Sequence, residues 1–75
     1  MEDKILDTSG LACPLPILRL KKAIKLLEEG ENIKLLTTDA STAHDMEAFC
    51  ALTHNTLVAS YSENDVWIYI IQKGV

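Results

Sequence analysis

The chain has 75 residues, a net charge of −4 and a hydrophobic fraction of 48%. A chain of this length forms one small domain, over residues 1–75, without room for a separate catalytic domain. Its acidic balance is unsuited to phosphate backbones, so we expect no direct DNA binding. The sequence shows no apolar run of transmembrane length and no secretory signal, so we expect no membrane association and a cytosolic protein with reduced thiols.

The first half of the chain predicts a strand, a helix and a second strand. The first strand lies at Lys4–Asp7, and the helix runs from Pro14 to about Glu29, where Gly30 is expected to terminate it as a C-cap. Apolar residues at three- and four-residue steps form its inner face: Ile17, Leu20, Ile24 and Leu27. The opposite face carries four cations: Arg19, Lys21, Lys22 and Lys25. Ile33–Thr38 is predicted as the second strand.

The second half predicts a helix followed by a hairpin. The helix covers about Thr42–Thr53, and Ser41 is expected to be its N-cap. Its inner face is predicted to hold Ala43, Met46, Phe49 and Cys50, while Asp45 and Glu47 point outward. Two strands, Leu57–Tyr61 and Val66–Ile71, flank a polar turn at residues 63–65 and form an antiparallel hairpin.

These elements predict an α/β (α+β) two-layer sandwich of order βαβαββ. A strand-helix-strand unit favours a parallel pair of strands, and the hairpin adds antiparallel pairs, which gives a mixed four-stranded sheet. Two helices can cover only one face of such a sheet. The other face is left to solvent or to a partner.

The segment Cys13-Pro14-Leu15-Pro16 carries the chemistry that the sequence predicts. Proline suits the first helical position, which places Pro14 at N1 and Cys13 at the N-cap. A thiolate there is stabilised by the helix dipole, and the N–H groups of Cys13 and Leu15 are expected to remain free to bind an anion. Gly10 permits a tight turn and leaves the sulfur accessible. The alternative is that Cys13 is a small buried apolar residue.

The residues from Leu6 to Leu18, which contain a Cys-Pro-x-Pro signature, closely resemble the opening of the TusA/SirA-like sulfur-carrier proteins. Residues 36–39, 45–50 and 71–73 resemble further blocks of that family. The resemblance implies that Cys13 carries sulfur as a transient persulfide without a bound cofactor. It also implies a cysteine desulfurase or rhodanese-type donor and a downstream acceptor protein. The sulfur would then enter tRNA thiolation, molybdenum cofactor supply or another route of sulfur metabolism.

The resemblance also suggests which residues assist Cys13. Gly10, Pro14, Leu15 and Pro16 would support the sulfur-bearing turn. A second set would contact partners: Arg19, Lys22 and Asp45. Three positions depart from the best-studied tRNA-thiolation carriers and leave the partner open: Ala40, His44 and Glu47.

Other functions remain open on the sequence alone. Cys50 is predicted to be a buried structural residue, although it could resolve a persulfide on Cys13. A small regulatory or RNA-binding module would instead use the cations of the first helix. A thiol-disulfide protein would need Cys13 and Cys50 close together, without a Cys-x-x-Cys motif to ensure it. The spacing of the cysteines and histidines fits no standard zinc site, so we expect no metal.

Overall fold

A computed structural model describes residues 4–12 and 15–74, apart from the side chains of residues 43 and 44. The elements follow in the order β1 (Lys4–Asp7), α1 (Leu15–Ile24), β2 (Asn32–Thr37), α2 (Ser41–Leu52), β3 (Thr56–Glu63) and β4 (Val66–Gln72). The sheet order is β1-β2-β4-β3, with β1 parallel to β2 and the other neighbours antiparallel. The predicted βαβαββ order and mixed four-stranded sheet are therefore confirmed.

Both helices pack on the same face of the sheet. Ile33 pairs with Ile71 and Leu35 pairs with Tyr69 across β2 and β4, so these four side chains share one face. They form one buried cluster with side chains from both helical segments: Leu20, Ile24, Leu27, Met46 and Cys50. The two-layer arrangement with helices on one face is confirmed.

The opposite face of the sheet carries no helix among the described residues. Ile5 is 66% exposed there and Tyr61 is 42% exposed, both on edge strands. Ile68, on the central strand β4, is only 6% exposed. It lies between its cross-strand partners Leu36 and Tyr61, whose side chains share its face and shield it from solvent. This face is therefore exposed mainly at its edges.

The first helix ends earlier than the sequence predicts. α1 stops at Ile24, and shortly after it the N–H groups of Leu26 and Leu27 donate to the carbonyls of Ala23 and Ile24 in i→i+3 turns. These tighter turns still place Leu27 in the core, at 3% exposure. The prediction that the helix reaches Glu29 with Gly30 as its C-cap was wrong.

Gly30 instead belongs to the connection into β2. Its φ is +85°, and its N–H donates to the carbonyl of Lys73 at 3.0 Å. The N–H of Lys73 donates to the carbonyl of Glu31 at 2.9 Å, and its ammonium group donates to the carbonyl of Leu27 at 2.6 Å. Hydrogen bonds with the residue that follows β4 therefore fix this connection. They use the N–H of Gly30, which was expected to belong to a helix C-cap.

The second helix is capped by a different residue from the one predicted. Ala40 already has helical dihedrals, with φ −61° and ψ −27°. One carboxylate oxygen of Asp39 accepts hydrogen bonds from the N–H of Ser41 at 2.9 Å and from its hydroxyl at 2.8 Å. Asp39 therefore performs the capping, and the assignment of Ser41 as N-cap was wrong. The outward placement of Asp45 and Glu47 is confirmed.

The hairpin between β3 and β4 closes with a two-residue loop. Glu63 pairs with Val66, and the loop residues Asn64 and Asp65 have φ values of 52° and 64°. Two consecutive left-handed residues are typical of the type I′ turn, which matches the twist of the flanking strands. The polar turn that the sequence predicts here is confirmed.

Candidate functional site

The loop that precedes Cys13 is hydrogen-bonded to the carboxyl end of β2. The N–H and the hydroxyl of Thr8 both donate to the carbonyl of Leu36, at 2.8 and 2.6 Å. The N–H of Gly10 donates to the hydroxyl of Thr38 at 2.8 Å. Thr8 itself is 1% exposed. Backbone and buried side-chain hydrogen bonds therefore set the direction in which the chain leaves β1.

Gly10 supplies a backbone conformation at this turn. Its φ of +83° lies in the left-handed region, which confirms the predicted tight turn. A Cβ added to Gly10 would meet nothing within 4 Å, so the dihedral angle and not crowding favours glycine. One residue earlier, the N–H of Ser9 donates to the carboxylate of Asp7 at 2.9 Å. This hydrogen bond lowers the pKa of Asp7.

Cys13 and Pro14 lie outside the described residues, so their placement at the N-cap and N1 stays a prediction. The residues on either side, Ala12 and Leu15, are both exposed, and α1 begins at Leu15. The N–H of Leu15 donates to the carbonyl of Ala12 at 2.9 Å. The expectation that this N–H is free for an anion was therefore wrong.

The two described supporting residues of the signature differ in burial. Pro16 is fully buried, whereas Leu15 is 45% exposed. Pro16 therefore anchors the first turn of α1 in the protein interior. Leu15 lies at the surface, two residues after Cys13 in the sequence.

The surface of α1 combines apolar and basic side chains. We call the exposed set Leu15, Leu18, Arg19 and Lys22 the α1 outer face. These residues line a groove of about 530 Å³ together with two further cations, Lys21 and Lys25. The predicted exposure of the cations is confirmed. The sequence reasoning missed Leu18, which is 48% exposed and lies one turn from Leu15.

Asp45, the third predicted partner contact, lies on the other helix. It is an exposed residue of α2, whereas Arg19 and Lys22 are exposed on α1. Arg19 and Lys22 therefore share a groove to which Asp45 contributes nothing. A contact role for all three residues stays a prediction.

Cys50 is buried against the sheet. It is a free thiol with 3% exposure and belongs to the core cluster. Desolvation raises the pKa of the Cys50 thiol, because burial penalises its charged form. Since the thiolate is the reactive species, this environment makes Cys50 a poor nucleophile. The prediction that Cys50 is buried is confirmed.

Neither a metal cluster nor a membrane-spanning helix occurs in the described part of the chain. Within residues 4–12 and 15–74, leaving out the side chains of residues 43 and 44, no three His, Cys, Asp or Glu side chains come together in a way that could hold a metal ion. No helix in those ranges is long and apolar enough to cross a membrane.

The sequence profile of a family described as Sulfurtransferase TusA matches residues 4–73. This chain belongs to the TusA family. Two proteins of Neisseria meningitidis, one from serogroup A and one from serogroup B, are each 39% identical to it over 72 residues. Each alignment covers 96% of this chain and 97% of the relative. Their names describe them as candidate sulfur carriers.

The fold of this TusA-family chain also occurs in a solved structure. The crystal structure of a SirA-like protein from Desulfitobacterium hafniense superimposes with a TM-score of 0.80. The match covers 95% of this chain and 97% of that protein, at 23% sequence identity. The resemblance to TusA/SirA-like proteins that the sequence indicates is therefore confirmed, and the α+β fold is shared.

Proposed function

We propose that this chain is a sulfur carrier that accepts a sulfane sulfur as a persulfide on Cys13 and delivers it to an acceptor protein. The proposal rests first on membership of the TusA family, whose matched region includes Cys13. The observation that carries the residue assignment is the hydrogen-bonded loop from Thr8 to Ala12. It leads towards the start of α1, and the described residues on either side of Cys13 and Pro14, Ala12 and Leu15, are exposed.

The transfer requires no net oxidation or reduction. The Cys13 thiolate attacks the outer sulfur of a persulfide on the donor protein, and a new sulfur–sulfur bond forms as the donor's own sulfur–sulfur bond breaks. The donor cysteine leaves as a thiolate, and Cys13 becomes the persulfide. An acceptor thiolate then attacks the outer sulfur in the same way and releases the Cys13 thiolate.

With Cys13 at the N-terminus of α1, as the sequence predicts, the helix would favour its thiolate form. The positive end of the helix dipole stabilises an anion at the N-terminus of a helix and lowers a cysteine pKa. Because the N–H of Leu15 is bonded to Ala12, this stabilisation comes from the dipole and not from that N–H group. Gly10 and Ala12 are exposed, which leaves room for a donor to approach.

The donor and the acceptor are proteins in this proposal. A cysteine desulfurase or a rhodanese-type enzyme would provide the persulfide, in the cytosol, where thiols stay reduced. The α1 outer face would contact such partners, since its leucines offer apolar area and its cations offer charge. The acceptor would direct the sulfur to tRNA thiolation, molybdenum cofactor supply or another route of sulfur metabolism.

Intact-protein mass spectrometry tests the persulfide directly. The protein is incubated with a cysteine desulfurase and free cysteine, and in parallel with polysulfide. We expect the mass to increase by whole sulfur atoms and the increase to disappear on treatment with a reductant. Cys13→Ser should take up no sulfur from either source, while its circular dichroism spectrum stays that of the folded protein.

Cys50→Ala is the matched control for this experiment. Alanine removes the second thiol without placing a hydroxyl in the core, and we expect sulfur uptake to stay at the level of the unmodified protein. Equal uptake by Cys13→Ser would contradict the proposal. Salt-sensitive RNA binding that survives Cys13→Ser, without any sulfur uptake, would favour the RNA-binding alternative instead.

A further inference from the structure

A second site lies on the helix-covered face of the sheet, between α2 and the hairpin. Ser60 pairs with Tyr69 and Ser62 pairs with Trp67, so these four side chains share the face that also holds Leu35. Together with Glu47 of α2 they line a cleft of about 240 Å³. We call this the Tyr69 cleft. Its volume suits one long side chain of a partner better than a large ligand.

Tyr69 lines this cleft, and its side chain carries a polar group without a hydrogen-bond partner. Tyr69 is only 3% exposed, and its hydroxyl is buried without a hydrogen-bond partner. Desolvation raises the pKa of Tyr69, so the phenol is neutral at physiological pH. A buried polar group without a partner is costly, and native proteins rarely leave one unless a ligand or water completes it. The hydroxyl therefore points to a missing polar partner.

The remaining groups of the cleft indicate the charge of that partner. Glu47 is exposed and contributes the only charge among the described residues that line the cleft. The hydroxyls of Ser60 and Ser62 can accept hydrogen bonds, as can the phenol oxygen of Tyr69. The half-buried indole of Trp67 is the ring type that best attracts a cation to its face. A carboxylate, hydroxyl acceptors and an indole together favour a cation with several donors.

We propose that the Tyr69 cleft binds an arginine side chain of a partner protein. A guanidinium group carries five N–H donors in one plane and no acceptor, which matches a cleft rich in acceptors. It can pair with the Glu47 carboxylate, stack on the indole of Trp67 and donate to the Tyr69 oxygen. A lysine ammonium group is a compact point charge, so it satisfies fewer of these groups at once.

The position of the cleft suits a docking role. Trp67 pairs with Thr37 at the carboxyl end of β2. The next residue, Thr38, accepts the hydrogen bond from Gly10 in the loop before Cys13. An arginine in the cleft would therefore hold its protein at the same end of the sheet as that loop. The arginine site goes beyond the proposed sulfur chemistry, and its binding can be measured without sulfur.

The intrinsic fluorescence of the protein provides the readout, because Trp67 is its single tryptophan. We propose a titration with arginine blocked by an N-terminal acetyl and a C-terminal methylamide group, which imitates an internal residue. The neutral isostere, citrulline blocked in the same way, serves as the comparison. We expect a saturable change with a millimolar dissociation constant for arginine and no saturation for citrulline. Blocked lysine should bind more weakly than arginine.

Two variants assign the contacts. Glu47→Gln should weaken arginine binding by about two- to fivefold, the factor typical of a partly exposed charge pair. Tyr69→Phe keeps the ring and removes the hydroxyl, and it should also weaken arginine binding. Glu29→Gln changes the same charge at an exposed position away from the cleft and should leave the affinity unchanged.

Several results would overturn the arginine site. Equal responses to arginine and citrulline would show that the cleft does not select a cation. An affinity unchanged in both Glu47→Gln and Tyr69→Phe would place the binding elsewhere. The absence of saturable binding would indicate that the cleft holds only water. Each result is independent of sulfur uptake on Cys13, so the arginine site and the sulfur carrier can fail separately.

Discussion

At the scale of single residues, Tyr69 is expected to reduce the stability of the free protein. Its hydroxyl is buried without a partner, which costs about 1–3 kcal/mol in folded proteins. Tyr69→Phe should therefore raise the free energy of unfolding by about 1 kcal/mol, measured by urea denaturation. Tyr61→Phe is the control, because Tyr61 is 42% exposed and should change stability little. A loss of stability in Tyr69→Phe would refute this account.

We expect Cys50 to make the protein less stable in alkaline solution. Burial raises the pKa of its thiol above the ordinary value of 9.0, so the unfolded chain loses this proton at lower pH than the folded chain. Between the two pKa values the folded state binds more protons, and stability decreases as pH rises. The decrease should begin near pH 9 and reach at most about 1.4 kcal/mol per pH unit for this group.

Urea denaturation at a series of pH values from neutral to alkaline measures this effect. Cys50→Ala should be less stable at neutral pH, because it leaves a small cavity in the core, but its stability should decline less steeply above pH 9. Tyr69, whose pKa is also raised by burial, adds a second decline at higher pH. A slope in Cys50→Ala that equals the slope of the unmodified protein would show that Cys50 does not contribute.

At the scale of elements, substitutions at the start of α2 test which of two residues, Asp39 or Ser41, caps the helix. Asp39→Ala removes the carboxylate that accepts two hydrogen bonds from Ser41, and it should cost about 1 kcal/mol of unfolding free energy. Ser41→Ala removes only a hydroxyl that donates to Asp39. Its loss of unfolding free energy should therefore be only a few tenths of the loss expected for Asp39→Ala. Thermal or urea unfolding of the two variants decides between them. A larger loss in Ser41→Ala would restore Ser41 as the cap.

The existence and order of the elements could be predicted because each one shows its helical or strand periodicity in the hydrophobic pattern of its own residues. The strand predicted at Val66–Ile71 falls within β4, and the predicted inward helical positions Met46 and Cys50 are both buried. The end of α1 could not be predicted, because distant contacts decide it. The N–H of Gly30, which a C-cap would have used, donates instead to the carbonyl of Lys73, far along the chain.

The candidate site was predictable only in part, for a similar reason. Residues 8–16 are continuous in sequence, so the turn at Gly10 and the exposed start of α1 could be anticipated. The bond between Leu15 and Ala12 was missed because proline rules predict which donors are absent and not where the remaining ones go. The Tyr69 cleft combines residues from α2, β3 and β4, and no local pattern joins them.

At the scale of the whole molecule, the charges are segregated. The chain carries a net charge of −4, yet four of its seven cations lie between Arg19 and Lys25. All four are exposed, so they form a basic region on an otherwise acidic protein. Such a region attracts the acidic surfaces of other proteins and raises the rate at which they associate with it. Salt weakens this attraction. In the proposed sulfur carrier, this region would select the proteins that approach Cys13.

Charge reversal on the α1 outer face should therefore slow sulfur loading from a protein donor. We expect Arg19→Glu or Lys22→Glu to reduce the loading rate by about two- to tenfold at low salt, with a smaller difference at high salt. Polysulfide needs no docking surface, so loading from it should stay unchanged. Lys4→Glu makes the same charge change at the opposite end of β1 and should have little effect. Time-resolved mass spectrometry measures these rates, and equal slowing with polysulfide would mean that the cations act on Cys13 itself.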